Sequence, residues 1–554
     1  MKKNSQLNLY FDENIHQKKN SKNLDERINI IISIFLLISL LTLSKLLLIG
    51  LEKKHFYFTD TYILETVKRR DIVDRNHNLL AHNVQTHDLL IRTKKIKNFT
   101  SLNFKLRLNF PDIDLLRIKN FNKRSFHIVK KNLTPSEYNK ALSLGEPSIE
   151  LVRNEARVYP NKNLFSHIIG NIDSDQNGIS GIELFFNNEI LNKDLIDKPI
   201  ILSLDQNIQF ITREILKQSI NTFNAKGASS ILLDAQSGKI LSMISLPDFN
   251  PNNRNELDNK NYQFNKNTKG LYELGSIFKT FVIANALEKE IVTRDKIYKN
   301  LPNQVVCGKF PIREYNYSKD KKNLSVNDIL VESSNIGTIR IIQDSGLQSY
   351  RNFLKDLEIF KYSKIELPEV SSSTKKRWGK CNTLTAGYGH GINTTPIQLT
   401  RAFAAIINGG NLLDISLLEN KEIKVKSRII SQKNSEIMRK ILRSNVDSSY
   451  KRGGSGRKAD IKGYNVMGKT GTAEKPLEFT KGYSNEILNI FTSAFEINNK
   501  FYVLTVIVDE PQGSKKLWGH NRREAGWNAG YVNGQIIKKI GPILNTLTLN
   551  EYVK

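Results

Sequence analysis

The chain has 554 residues, 83 Lys plus Arg against 55 Asp plus Glu for a formal net charge of +28, 39% hydrophobic residues and 14 prolines. This balance excludes a collagen-like or uniformly disordered chain, and at ~100–200 residues per domain the length predicts about three units able to bury cores of their own. Two cysteines, Cys307 and Cys381, with no C-x-x-C pair for zinc or redox work, allow one disulfide, whose formation the sequence leaves open.

The first element is apolar. Residues 28 to 43 read INIIISIFLLISLLTL, and leucines and isoleucines continue past Lys45 to Leu51. A bilayer-spanning helix needs ~20 mostly apolar residues, and Lys45 near its end can carry its ammonium to the interface. A cleaved signal peptide has a shorter apolar core ending at a small-x-small site, which SKLLLIGLEKK lacks. An uncleaved anchor over 28–51 is therefore expected, after a tail of 1–27. Basic residues flank it on both sides (Lys18, Lys19, Lys22 and Arg27 before, Lys53, Lys54, Lys68, Arg69 and Arg70 after), so charge alone does not orient it. The roughly five hundred residues that follow fit a single-pass protein whose bulk is exported, because long domains translocate largely regardless of charge.

From 52 to 199 short strand-like runs alternate with polar turns, as in HDLLIRT (87–93) and SHIIGNID (166–173), without a catalytic constellation. The pattern changes near residue 200. ASSILLD and KILSMISLP flank a turn at Gln236, Ser237 and Gly238, which predicts a hairpin. A second hairpin is predicted where FTSAFEI and KFYVLTVIVDEP flank Asn498 and Asn499, residues that tolerate the positive φ of tight turns. Between them lie helical segments such as KTFVIANALEKEI and AFAAIINGG, the latter with Gly409 and Gly410 placed to end a helix. Hairpins at both ends with helices between predict an α+β domain over 200–545 built on an antiparallel sheet.

Three short motifs occur in order in this region: Ser276-Ile277-Phe278-Lys279, Ser333-Ser334-Asn335 and Lys469-Thr470-Gly471-Thr472. Each alone is a weak signal, and the ordered set is what points to chemistry. Ser276 and Lys279 are three apart and share a helix face; a lysine desolvated among apolar neighbours can lose its charge and take the serine's proton. Read locally, Ser276 as an N-cap with Lys279 on the surface is the alternative. The Ser333 hydroxyl beside the Asn335 amide can relay a proton and hold a peptide bond, while helix capping is the local alternative. Strand alternation in GYNVMGKTGTAEK puts Lys469 and Gly471 on one face and Thr470 and Thr472 on the other, a receptor for a carboxylate or an exposed basic strand end.

These motifs resemble those of the penicilloyl serine transferases, and more narrowly the class B penicillin-binding proteins, the peptidoglycan D,D-transpeptidases. Further matches to that family are RRDIVDRNHNLLA (69–81), RVYP (157–160), GISGIE (178–183), SLDQNIQ (203–209), LPDFNPN (246–252) and GYGHGINTTPIQL (387–399). Arg70 and His77 stand where the family usually has Gly, which puts local turn geometry in question but no catalytic position.

The resemblance implies a pedestal (dimerisation-like) module over 52–199, a transpeptidase domain of five-stranded antiparallel sheet flanked by helices over 200–545, and a tail over 546–554. It implies Ser276 as the acylated nucleophile, Lys279 as general base, Ser333 as proton relay, Asn335 as ligand of the substrate amide and Lys469 as electrostatic partner. Thr470, Gly471 and Thr472 are implied to bind the terminal carboxylate, with the backbone NH groups of Ser276 and Thr472 as oxyanion hole. No cofactor or metal is implied. The implied donor is a stem peptide ending in D-Ala-D-Ala, with β-lactams as inhibitory mimics.

The wording YELGSIFK, GKTGTAEK and SHIIGNIDSDQNGISGIE resembles the division type more than the elongation type. The implied setting is thus a bacterial inner membrane with the catalytic domain in the periplasm, beside a glycan-polymerising partner and other division proteins. The spread-out basic residues carry no nucleic-acid motif, and no nucleic acid is expected as a partner. A non-catalytic scaffold of the same fold, and a hydrolase using water in place of the amine, are the other classes to separate.

Overall fold

The computed structural model describes residues 13–51, 68–118, 121–253, 256, 259–314, 317–373, 378–476 and 482–553. The chain divides into two units, Met1–Glu65 and Thr66–Lys554. In the first, Leu- and Ile-rich sequence without proline forms one helix, α1 (Glu13–Leu51), whose stretch Arg27–Leu47 is exposed and apolar enough to cross a bilayer. At 1.5 Å per residue α1 is about 58 Å long, more than a hydrocarbon core of ~30 Å requires.

The second unit opens with β1 (Ile72–Val73) and the long β2 (Leu79–Arg92). Next come α2 (Phe99–Asn109), capped by the Asn98 side chain, β3 (Phe126–Lys130), α3 (Pro135–Ser143), closed at its start by a Thr134–Glu137 capping box, and β4 (Ile149–Val158). β2 pairs antiparallel with β4 over residues 82–91, with β3 near its end and with β1 at its start. Leu89 and Ile91 of β2 bury against Leu102, Leu106 and Phe110 in a small core around α2.

HDLLIRT is a strand, as predicted, but SHIIGNID is not. Ser166–Ile169 forms a helical turn ending at Gly170 (φ +77), and Ile172 makes a single bridge to Gly178. Two buried isoleucines are too short a run for periodicity to separate helix from strand, and packing against the helix Gly181–Phe185 decides the matter. Three of the family-like motifs meet beside it. Arg69 and Arg157 both pair with Glu183 (2.6 and 2.7 Å), and all three side chains are fully buried.

Near residue 200 the chain adds β5 (Ile200–Ile201), parallel to β1, before Leu202 bridges to Leu418. The helix α4 (Gln206–Thr222), with Asp205 as N-cap, leads to the hairpin β6 (Gly227–Asp234) and β7 (Ile240–Leu246). Its turn is held by Asp234 accepting from the Gln236 and Ser237 NH groups. α5 (Phe278–Glu288) is buried at every position from Phe278 to Leu287, as a helix apolar all round must be.

A small hairpin follows, β8 (Gln304–Cys307) and β9 (Phe310–Arg313), which no sequence pattern announced. Then come α6 (Val326–Val331), α7 (Asn335–Ser345), α8 (Lys380–Ala386), α9 (Pro396–Ile407) and α10 (Gln432–Val446). Cys307 and Cys381 form a disulfide, tying β8 to α8. The chain closes with β10 (Met467–Pro476), β11 (Tyr483–Ile497), β12 (Lys500–Asp509) and α11 (Ala529–Val553).

The sheet runs β10-β11-β12-β6-β7, antiparallel throughout, and the β11–β12 turn sits on Asn498 and Asn499 at φ +50 and +61. Side-chain alternation gives it two apolar faces. Phe491, Phe495, Leu504 and Val506 pack under α4 and α11, while Ile490, Ala494, Val503 and Ile507 pack under α5 and α9. The expected tail at 546–554 instead continues α11, with Leu547 against the core and Thr548 buried and bonded to Asn498.

Candidate active site

Ser276 sits in a 3-10 turn, Gly275–Ile277, that runs directly into α5. β10 lies against this turn. A Cβ on Gly471 would come 2.4 Å from the Leu274 carbonyl, and one on Gly275, at φ +58, 2.8 Å from the Thr472 carbonyl and 3.2 Å from the Thr472 nitrogen. Only glycine admits this approach, which sets the backbone of Thr472 beside that of Gly275, the residue before Ser276.

One helical turn further on, Lys279 is fully buried. Its Nζ donates to the Ser333 carbonyl, to Ser333 Oγ at 3.1 Å and to Asn335 Oδ1 at 2.8 Å. Lys469, also fully buried, donates to Ser333 Oγ at 3.0 Å and to the Thr470 carbonyl at 3.1 Å. One hydroxyl thus lies between two ammonium groups. Burial lowers Lys279 from 10.5 to about 7, against the pull of Glu314, which raises it. Burial also drives Lys469 well below its ordinary value, and the nearby charge of Lys279 adds to the effect. Among the described residues no hydrogen bond reaches the Ser276 hydroxyl.

The middle motif lies between two helices. α6 stops at Val331, Ser333 takes the left-handed conformation (φ +55), Ser334 caps α7 by accepting from the Gly337 NH, and Asn335 is the first residue of α7. Neighbouring residues of this stretch thus differ in their contacts: Ser334 caps α7, while Ser333 and Asn335 face Lys279. Thr470 and Thr472 point to the other side of β10 from Gly471, as alternation requires. Thr470 Oγ1 meets Ser455 Oγ at 2.5 Å, and Thr472 Oγ1 accepts from the Ala525 NH at 3.4 Å.

All eight sequence-named residues therefore fall in one region. Two further contributors lack a motif. Ser455 sits in the loop KRGGSGRKAD, whose glycines hint only at a turn, and Glu314 follows β9 in a segment with no periodic signal. Glu314 accepts from Ser334 Oγ at 2.6 Å and from the NH groups of Asn335 and Ile336 at 2.9 and 3.1 Å.

The penicillin binding protein transpeptidase domain matches residues 228–526, more than half of the chain, and the penicillin-binding protein dimerisation domain matches residues 64–194. The chain belongs to the penicillin-binding protein transpeptidase family. Its relatives include a probable peptidoglycan D,D-transpeptidase FtsI of Caulobacter vibrioides, 29% identical over 88% of this chain and 83% of the relative. They also include the probable peptidoglycan D,D-transpeptidase PenA of Neisseria meningitidis, 28% identical over 87% of this chain and 85% of the relative. The fold matches that of Mycobacterium tuberculosis penicillin-binding protein 3, solved with aztreonam, at a TM-score of 0.66 and 20% identity, covering 86% of this chain and 97% of that one. The chain thus combines a dimerisation domain with a transpeptidase domain on a five-stranded sheet.

Proposed function

We propose that the protein is a membrane-anchored peptidoglycan D,D-transpeptidase of the division type, acting through an acyl-serine intermediate on Ser276. The observation that carries this reading is the buried Lys279, whose Nζ meets Ser333 and Asn335 while Lys469 approaches the same Ser333 hydroxyl from β10. Relatives named as D,D-transpeptidases along most of the chain support it.

In this mechanism neutral Lys279 takes the Ser276 proton as Oγ attacks the carbonyl of the penultimate D-Ala of a stem peptide. The oxyanion forms between the NH groups of Ser276 and Thr472. The C–N bond to the terminal D-Ala breaks while Ser333, fed from the lysines, protonates the leaving amine. An amine of a neighbouring stem then attacks the ester, its proton passes to the site, and Ser276 Oγ leaves and is reprotonated. Asn335 holds the donor amide, and Thr470 and Thr472 on either side of Gly471 hold the terminal carboxylate. A β-lactam enters the same path as far as the ester.

The reading assigns 28–51 to the anchor, 52–199 to the pedestal and 200–545 to the transpeptidase domain, on the outer face of the inner membrane. The Cys307–Cys381 disulfide supports that side, since such bonds persist in oxidising compartments. A glycan-polymerising enzyme and other division proteins are the partners this placement requires. The test is mass-spectrometric mapping of a labelled penicillin on the full-length protein. An adduct on Ser276 that disappears in Ser276→Ala is expected, and an adduct elsewhere, or none on folded protein, refutes the assignment. Product analysis separates crosslinked dimers from hydrolysed monomers, and loss of septa rather than of rod shape on depletion identifies the division role.

A further inference from the structure

We propose that Glu314 is a positioning residue for acyl transfer, its carboxylate holding the Ser333–Ser334–Asn335 turn in the conformation that sets the Ser333 hydroxyl between the two lysines and fixes the Asn335 amide. The proposal rests on the transpeptidase reading above and extends it to a residue outside the three motifs.

The geometry is specific. Glu314 Oε1 accepts from the Asn335 NH, and Oε2 accepts from both Ser334 Oγ and the Ile336 NH. One carboxylate thus engages three consecutive residues of a turn that contains two site residues. The preceding residue completes the grip, because the Arg313 carbonyl accepts from Asn335 Nδ2 at 3.2 Å while Asn335 Oδ1 accepts from Lys279. The Asn335 amide is therefore tethered at both ends, which fixes which end faces Lys279.

The turn needs such a clamp. Ser333 is a non-glycine residue at φ +55, a conformation that persists only where the surroundings over-determine it. From α6 it receives backbone support through the bonds of the Ser333 NH to the Leu330 carbonyl and of the Ser334 NH to the Ile329 carbonyl. On the α7 side, the first-turn NH groups of Asn335 and Ile336 have no intrahelical acceptor, and Glu314 supplies it. The negative charge favoured at a helix start also faces the site. Glu314 and Lys321 are the charged groups that act on Lys279, Lys469 on β10 lies across the Ser333 hydroxyl, and Glu332 just past α6 pairs with Lys321 and Arg452. Among these, Glu314 favours the protonated form of Lys279 and Lys321 opposes it.

A helix cap with no catalytic consequence is the competing explanation, and the two part company in the pH profile. The experiment measures the acylation rate by a fluorescent penicillin from pH 5.5 to 9 on full-length wild type, Glu314→Gln and Glu314→Ala, with melting temperatures alongside. Loss of the clamp is expected to slow acylation at pH 8 by ~100-fold in Glu314→Ala, the usual cost of ångström-scale misplacement. A smaller loss is expected in Glu314→Gln, which keeps one acceptor oxygen. In both variants the acid limb moves to lower pH, because the carboxylate that favours protonated Lys279 is gone. Rates are normalised to the folded fraction, and where Glu314→Ala does not fold, Glu314→Gln decides. A lower melting temperature with unchanged rate and limb, or a slower rate with the limb in place, overturns the proposal. Wild type that is not acylated at Ser276 defeats the transpeptidase reading itself and is distinguishable from both.

Discussion

Ser333 Oγ lies about equally far from Lys279 Nζ and Lys469 Nζ, and two buried ammonium groups this close cannot both remain comfortably charged. In the mechanism proposed above, Lys279, lowered by burial to about 7, is the group whose loss of a proton switches on the nucleophile. Acylation of the full-length protein should therefore rise with pH to a plateau with a midpoint near 7, read by penicillin labelling over a pH series; a rate flat from pH 5 to 9 contradicts the role. The same shift makes a stability statement. Because the folded value lies below the ordinary 10.5, the unfolded chain binds more protons between about 7 and 10.5, and this lysine's contribution to stability increases with pH across that window. Away from the cleft, Glu183 is buried between Arg69 and Arg157. Glu183→Ala leaves two guanidinium groups without their shared carboxylate, and a loss of ~3–5 kcal/mol is expected in denaturant unfolding. At the family's usual glycine position, His77 adopts φ +64 in a turn where Asp74 Oδ1 accepts from the NH groups of Asn76 and Asn78. His77→Gly should be tolerated, with a gain of at most about 1 kcal/mol, since relief from the left-handed conformation is offset by chain entropy. Arg70, the other departure, instead donates from Nε to the Lys198 carbonyl and is absent from the positive-φ positions.

Among the elements, those with a strong local signal were legible. The two hairpins, the largely apolar α5 and the helix ending before Gly409 and Gly410 follow from alternation, turn chemistry and apolar periodicity. Short or two-sided segments were not. SHIIGNID looked like a strand because its isoleucines are adjacent. The β8–β9 hairpin, two four-residue strands with Pro311 inside the second, is too short to stand out, yet it delivers Arg313 and Glu314 to the site and is tied by Cys307 to α8. Replacing both cysteines by serine should destabilise the second unit by roughly 2–4 kcal/mol, since the bond closes a loop of 74 residues in sequence. Differential scanning calorimetry in the oxidised state checks this, and an unchanged transition temperature contradicts it.

For the whole molecule, the second unit carries its own cores on both faces of the main sheet, and α11 extends them to its last turns. A chain truncated after residue 545 removes Leu547 and Thr548 from that packing and is expected to melt lower than the full chain in a thermal scan. Within the sequence lay the ordered motifs, an apolar stretch long enough to span a bilayer and the α+β class, because these depend on residue type and near-neighbour spacing. Tertiary structure alone decided that Lys279 and Lys469 bracket a single hydroxyl, that the two cysteines meet, and that Glu314 clamps the middle motif. Such contacts join residues far apart along the chain, and their proximity arises from the packing of helices and strands around a shared core, which local periodicity does not encode.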